Sequence, residues 1–139
     1  MKILRIAVVL IVLIALGGGL YVYQFGGLRT KREIAAFAEK LTGCTAFDQD
    51  FREPIAGGIM NRAILGNVDG RCGVRFDTFG PQKLVCNFDI AEMPKVADAF
   101  AGQSANIGIF GGYSIHVSTS DPDPLTEFMN GPDCAVSDG

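Results

Sequence analysis

A single histidine is the only side chain in this 139-residue sequence whose ordinary pKa lies near neutrality, and it sits in Ser114-Ile115-His116-Val117-Ser118. Ser114 or Ser118 as nucleophile, His116 as general base and Asp121 as its orienting acid would make a small hydrolase. That chemistry also needs an elbow exposing the nucleophile and donors for an oxyanion, and the sequence supplies neither. Alternation places Ser114, His116 and Ser118 on one face of a strand. His116 therefore reads as a solvent-facing strand residue, and no catalytic residue is assigned. One histidine also excludes a multi-histidine metal site.

Asp121, Asp123, Glu127 and Asp133, and earlier Asp48, Asp50 and Glu53, offer the hard oxygen ligands that calcium prefers. Neither group has the spacing of a calcium-binding loop. Pro122 and Pro124 stiffen the first, and Asp123 suits the cap of a helix starting at Pro124. Residues 17–19, Gly57-Gly58 and Gly111-Gly112 lack the Lys-Ser/Thr or GxGxxG spacing of a phosphate cradle. No metal and no cofactor is expected.

Four cysteines remain, Cys44, Cys72, Cys86 and Cys134, with no CxxC pair. An even count in a small domain behind an export-type segment reads as two structural disulfides. That segment is residues 6–25, twenty residues without a charge. As a helix it would cross about 30 Å of hydrocarbon. Tyr21, Tyr23 and Phe25 fall where an aromatic belt forms. Basic residues flank both ends, Lys2 and Arg5 before and Arg29, Lys31 and Arg32 after, so charge does not orient the segment. The disulfides do, by placing the following domain outside the cytoplasm. An uncleaved signal anchor is the preferred reading. The alternative is a signal peptide with its apolar core at residues 6–14, cut after Ala15-Leu16-Gly17.

Residues 1–27 hold two of the 12 basic side chains and none of the 15 acidic ones, so the remainder carries a net charge of −5. Beyond Lys95 there are six acidic residues and no basic one. Nucleic acid, which needs a basic footprint, is excluded as a partner.

The positioning elements follow from periodicity. After a Gly26-Gly27 spacer, Thr30-Lys31-Arg32-Glu33 has the form of a capping box, with Ile34, Phe37, Ala38 and Leu41 at helical spacing. This predicts a helix over 31–42, with Gly43 in the left-handed position after its end. Residues 45–58 read as irregular, anchored by Phe47 and Phe51. A strand over 59–65 leads to a turn at 67–70. Residues 71–77 and 83–90 alternate as a hairpin, with Cys72, Val74, Phe76, Leu84, Cys86, Phe88 and Ile90 on its dry face.

One register opposes Arg75 to Lys83. Another opposes Asp77 to Lys83 and Arg71 to Asp89, and the unlike charges favour it. Cys72 and Cys86 are then diagonal neighbours about 7–8 Å apart, too far for a relaxed bridge. Each should pair instead with Cys44 or Cys134, in an order left open. A helix over 93–101, a strand-like stretch over 107–118 turned or bulged at Gly111-Gly112, and a short helix from Pro124 with Leu125, Phe128 and Met129 complete the chain.

The fold expected is α+β. A transmembrane helix within residues 1–27 precedes a disulfide-stapled domain over 28–134. There a small antiparallel sheet, a β-meander plus one or two later strands, is packed by two to three helices. Residues 135–139 are expected to be a loose tail. The wet face of the sheet carries Arg71, Arg75, Lys83, Asn87 and Asp89, joined by Arg62. It is either a solvated face laced by cross-strand pairs or a recognition surface for a protein or glycan.

The spacing Cys44, Arg62-Ala63-Ile64-Leu65-Gly66, Asp69-Gly70-Arg71-Cys72 and Cys86 resembles small exported bacterial proteins of uncharacterised function with a C…RxIxGxxxGxC…C layout. The resemblance covers about a third of the chain, and such proteins have no activity to carry over. The order of apolar helix, second helix, meander and late cysteine is also similar to a type IV pilin. The chain departs from that family in lacking a Gly-Phe cleavage site and an early glutamate in the apolar segment.

These readings lead to a non-enzymatic, single-pass protein of the bacterial inner membrane, held through residues 6–25. Its periplasmic domain would be an accessory or binding subunit with a protein partner. A cleaved, soluble periplasmic or secreted binder of inhibitor or immunity type is the alternative. A pilin-like subunit and a hydrolase using His116 are minor ones.

Overall fold

The computed structural model describes residues 2–53, 57–113 and 123–138. Ser114, His116, Ser118 and Asp121 lie outside the described residues, so the strand expected there has only its first part, residues 107–113, within them. The architecture is α+β, an N-terminal helix followed by a five-stranded antiparallel sheet with further helices.

Helix α1 (Lys2–Phe25) takes up the apolar run. It is long and apolar enough to cross a membrane, and among the described residues none of its most apolar window is buried. Gly26 breaks the helix in an extended conformation, and α2 (Gly27–Thr42) begins immediately after. The expected capping box does not form: Thr30 lies inside α2, whose start has no side-chain cap. A tertiary contact does that work, since the Gly27 amide donates to the Ile109 carbonyl at 2.9 Å.

At the other end the left-handed residue is Cys44 (φ 48°), not Gly43 (φ −96°). The Thr45 amide donates to the Lys40 carbonyl and the Cys44 amide to that of Leu41. This is a Schellman closure shifted one residue beyond the glycine. It turns the chain at the cysteine that must reach the sheet.

The strands are β1 (Phe47–Arg52), β2 (Ile59–Val68), β3 (Arg71–Asp77), β4 (Gln82–Asp89) and β5 (Cys134–Asp138), side by side in chain order. Two of them correct the sequence reading. Residues 47–52, expected irregular, form β1, with Phe47, Gln49 and Phe51 turned toward the core and Asp48, Asp50 and Arg52 outward. The tail expected to be loose forms β5 along β4, because Cys134 faces Cys86 directly and is bonded to it. Strand β2 runs three residues past the expected end by means of a bulge at Leu65, with Gly66 at φ +97°. Asp69 and Gly70 both have positive φ, the geometry of the tight turn that joins twisted strands.

The β3–β4 register is the one favoured by charge: Asp77 faces Lys83, Arg71 faces Asp89, Cys72 faces Phe88 and Cys86 faces Val74. The disulfides are Cys44–Cys72 and Cys86–Cys134, each tying a sheet cysteine to a peripheral one.

A short 3₁₀ turn (Ile90–Glu92), started by the Asp89 side chain accepting from the Ala91 amide, leads into α3 (Met93–Gly102). Ile90 is thereby drawn out of the sheet and is partly exposed. Helix α4 (Pro124–Met129) is capped by Asp123, which accepts from the Thr126 amide. The core joins Ile34, Phe37 and Leu41 of α2, Val96 and Phe100 of α3, and Ile64, Val74 and Phe88 of the sheet. Leu125 of α4 and Ile107 close its rim. Ile107 and Tyr113 pair across Gly111 and Gly112, whose φ values of +94° and +89° mark a tight turn rather than a bulge.

Candidate functional site

The solvent face of the sheet is built by strand alternation, with every second side chain of β1 to β5 pointing away from the helices. Across it runs a ladder of opposite charges. Asn61 donates through Nδ2 to Asp48 at 2.6 Å and to Asp50 at 2.9 Å. Its backbone amide donates to Asp77 Oδ2 at 2.9 Å. Lys83 Nζ donates to Asp77 Oδ1 at 2.6 Å. Arg75 reaches Asn61 Oδ1 at 3.4 Å and lies 3.8 Å from Asp48. The Lys83 ammonium, and next the Asn61 amide, hold the Asp77 carboxyl below its ordinary range.

Arg71 and Asp89 stand opposite one another as expected, but their side chains part company. Arg71 donates to the Asp133 carboxylate and the Asn87 carbonyl, which reach it from β4 and the approach to β5. Asp89 is occupied with the Ala91 amide. Asn87 is exposed. Beside this end, the bulge presents Leu65 to solvent at 53% exposure, lying over Gly73. Val68 stands exposed at the following turn.

Arg62 does not belong to this face. It pairs with Gln49 on one side and Phe76 on the other, both core-facing, so strand parity turns it inward. It is only 4% exposed. Its guanidinium carbon lies 4.8, 4.5 and 5.0 Å from the ring centres of Phe37, Phe51 and Phe100. Nε and Nη2 both donate to Gln49 Oε1, at 2.8 and 2.6 Å. Burial lowers its pKa from the usual guanidinium range to about 10, partly opposed by the field of Glu33, so it remains charged at neutral pH. A charge held by aromatic faces and an uncharged acceptor is a structural pin.

The residues of the C…RxIxGxxxGxC…C layout each have a place in this architecture. Arg62 fills the aromatic cage and Ile64 the core, Gly66 makes the bulge and Gly70 the turn, and Cys72 bonds Cys44.

Most of the described carboxylates weighed for calcium are engaged by the fold. Asp123 caps α4 and accepts from Gln103, Asp133 holds Arg71, Asp48 and Asp50 hold Asn61, and Glu53 is buried. Among the described residues, no group of three or more His, Cys, Asp or Glu side chains converges to hold a metal ion. A cleft of about 440 Å³ lies between the end of α1, α2 and β1, bordered by Tyr21, Arg29, Glu33, Asp50 and Arg52. Arg29 and Glu33 pair at 2.8 Å in its wall.

Strand parity puts Arg71, Arg75, Lys83, Asn87 and Asp89 on the solvent side of the sheet and Arg62 on the other. The sequence reading places Asp77 opposite Lys83 but does not bring Asp48, Asp50 or Asn61 into the ladder, although the alternation of Asp48 and Asp50 with Phe47 and Phe51 carries the signal. A scan against protein-family models, a search of the curated proteins and a search of solved structures each return no match.

Proposed function

We propose that this protein is a non-enzymatic, membrane-anchored subunit whose domain stands on the extracytoplasmic side of a bacterial inner membrane and binds a protein partner through the open sheet face. The observation that carries the reading is α1, a long helix apolar on all sides that its own chain leaves uncovered. A helix of that kind needs an apolar environment from elsewhere, and its length matches a bilayer of about 30 Å. The two disulfides fit an oxidising compartment. The sheet face supplies what a weakly charged protein interface needs: paired side chains that fix register, beside the exposed apolar points Leu65 and Val68.

Intact mass of the protein taken from native membranes without reductant tests the anchor. A full-length mass four hydrogens below that of the reduced chain is expected. A mass beginning near Gly18 makes the protein a cleaved, soluble binder, and four free thiols remove the compartment argument. A photo-cross-linking residue at Leu65, set against one at Lys95 on the helical side, tests the face. Adducts from position 65 alone are expected, and adducts from neither or only from 95 would refute the choice of face.

A further inference from the structure

We infer that the hairpin over residues 107–113 is a second membrane contact, dipping Ile109 and Phe110 into the lipid interface beside the point where α1 leaves the bilayer. The inference rests on the anchor reading above. It starts from an anomaly: in an acidic C-terminal third, Ile109 is 56% and Phe110 85% exposed, side by side at the tip of a tight turn.

The turn is not a loose loop. Ile107 is buried in the core, the Gly108 amide donates to the Gly112 carbonyl, and the Gly111 amide donates to the Gly108 carbonyl. The Tyr113 hydroxyl bonds Gln103, which in turn donates to Asp123 at the start of α4. A tip held this firmly with both apolar side chains outside the core is built to present them.

Its position is set by two glycines. The Gly27 amide donates to the Ile109 carbonyl at 2.9 Å. A Cβ on Gly26 would stand 2.6 Å from the Val22 carbonyl oxygen and 2.9 Å from that of Ile109, and a Cβ on Gly27 would stand 1.7 Å from the Gly108 carbonyl oxygen. The turn therefore lies against the last turn of α1, at the level of the interfacial aromatics. There Arg32 stacks over the Tyr23 ring at 4.1 Å and donates to the Tyr23 carbonyl at 2.8 Å. Aromatic and aliphatic side chains at this depth gain from the acyl boundary, and nearby arginines meet headgroup phosphates. Two contact points, α1 and the tip, would fix the domain's tilt on the surface where α1 alone would leave it free to swivel.

The chain has no tryptophan, so a single introduced one reports its own surroundings. Full-length F110W and, separately, V12W are reconstituted into vesicles of phosphatidylcholine and phosphatidylglycerol carrying a quencher at shallow or deep positions along the acyl chain. Intact disulfides confirm folding of each. The expected result is a blue shift for both, with F110W quenched by the shallow position and V12W by the deep one. If V12W is quenched and F110W emits as in water, the tip contact is refuted and the anchor stands, leaving the tip to a protein partner. If neither is quenched, the anchor reading fails and the inference falls with it.

Discussion

Arg62 shows how one residue can reverse the role its chemistry suggests. A cation in a strand reads as surface by its type, yet Arg62 fills a cage of three phenyl rings. Arg62→Ala removes the stacked stem and guanidinium together and should cost about 2–4 kcal/mol. Arg62→Met fills similar volume without a buried charge and should fall within about 1 kcal/mol of the native protein or above it. Urea unfolding of the non-reduced proteins separates the two, and equal losses would mean the charge itself is needed. Burial keeps the pKa of Arg62 below its unfolded value, so the unfolded state binds the extra proton and stability from this group rises only above pH about 10. Between pH 5 and 8 it adds no slope.

Asp77 behaves oppositely. Its pKa is depressed, so its contribution is complete above the unfolded carboxylate value of about 4 and fades as pH falls through the lower folded value. Asp77→Asn should cost about 0.2–1 kcal/mol at pH 7 for this partly exposed pair, which solvent still screens. The gap to the native protein should close on acidification, and a gap that persists at low pH would show that the loss is not ionic. The Asp77–Lys83 pairing was legible in the sequence because both strands alternate cleanly. Arg62 was not, because its environment is assembled from residues 37, 51 and 100, which only the fold brings together.

At the scale of elements, legibility followed how much information each segment carried locally. Strands β3 and β4 alternate over seven and eight residues and carry charges that discriminate between registers. The capping aspartate of α4 and the proline after it mark that start unambiguously. Strand β1 is rich in aspartate, a poor strand former, and its inward face carries the polar Gln49 between Phe47 and Phe51, where it accepts from Arg62. Strand β5 is five mostly exposed residues with no apolar stripe, held by its pairing and by Cys86–Cys134. Removing that bond with Cys86→Ser and Cys134→Ser should therefore cost about 4 kcal/mol in the chain-entropy model for a separation of 48. The amides of residues 135–138 should lose their protection from hydrogen exchange. Removing Cys44–Cys72, with its shorter separation of 28, should cost about 3.5 kcal/mol while leaving those amides protected. If β5 stays protected in the first double variant, the strand is held by backbone pairing alone.

For the whole molecule, the decisive feature is the junction between the apolar helix and the domain. The sequence shows two glycines at 26 and 27 and invites the reading of a flexible spacer. The structure makes them a socket, because what they admit is the backbone of a turn more than eighty residues away, which no local pattern announces. A spacer and a socket predict different things of one methyl group. Gly27→Ala places a Cβ 1.7 Å from the Gly108 carbonyl oxygen, where neither backbone can yield without losing the Gly27–Ile109 hydrogen bond. The cost should be about 1–3 kcal/mol. It should fall on the junction, because the disulfides tie α2 to β3 and β4 to β5 independently of it. The variant should keep sheet protection in hydrogen exchange while residues 108–112 become readily cut by protease. Gly18→Ala, where an added Cβ meets nothing within 4 Å, should be silent. If the two variants behave alike, the glycines are a spacer after all and the domain hangs freely from α1. If only Gly27→Ala releases the turn, the domain is oriented by its own fold against the helix, and the sheet face is carried at a fixed attitude to whatever surface α1 enters.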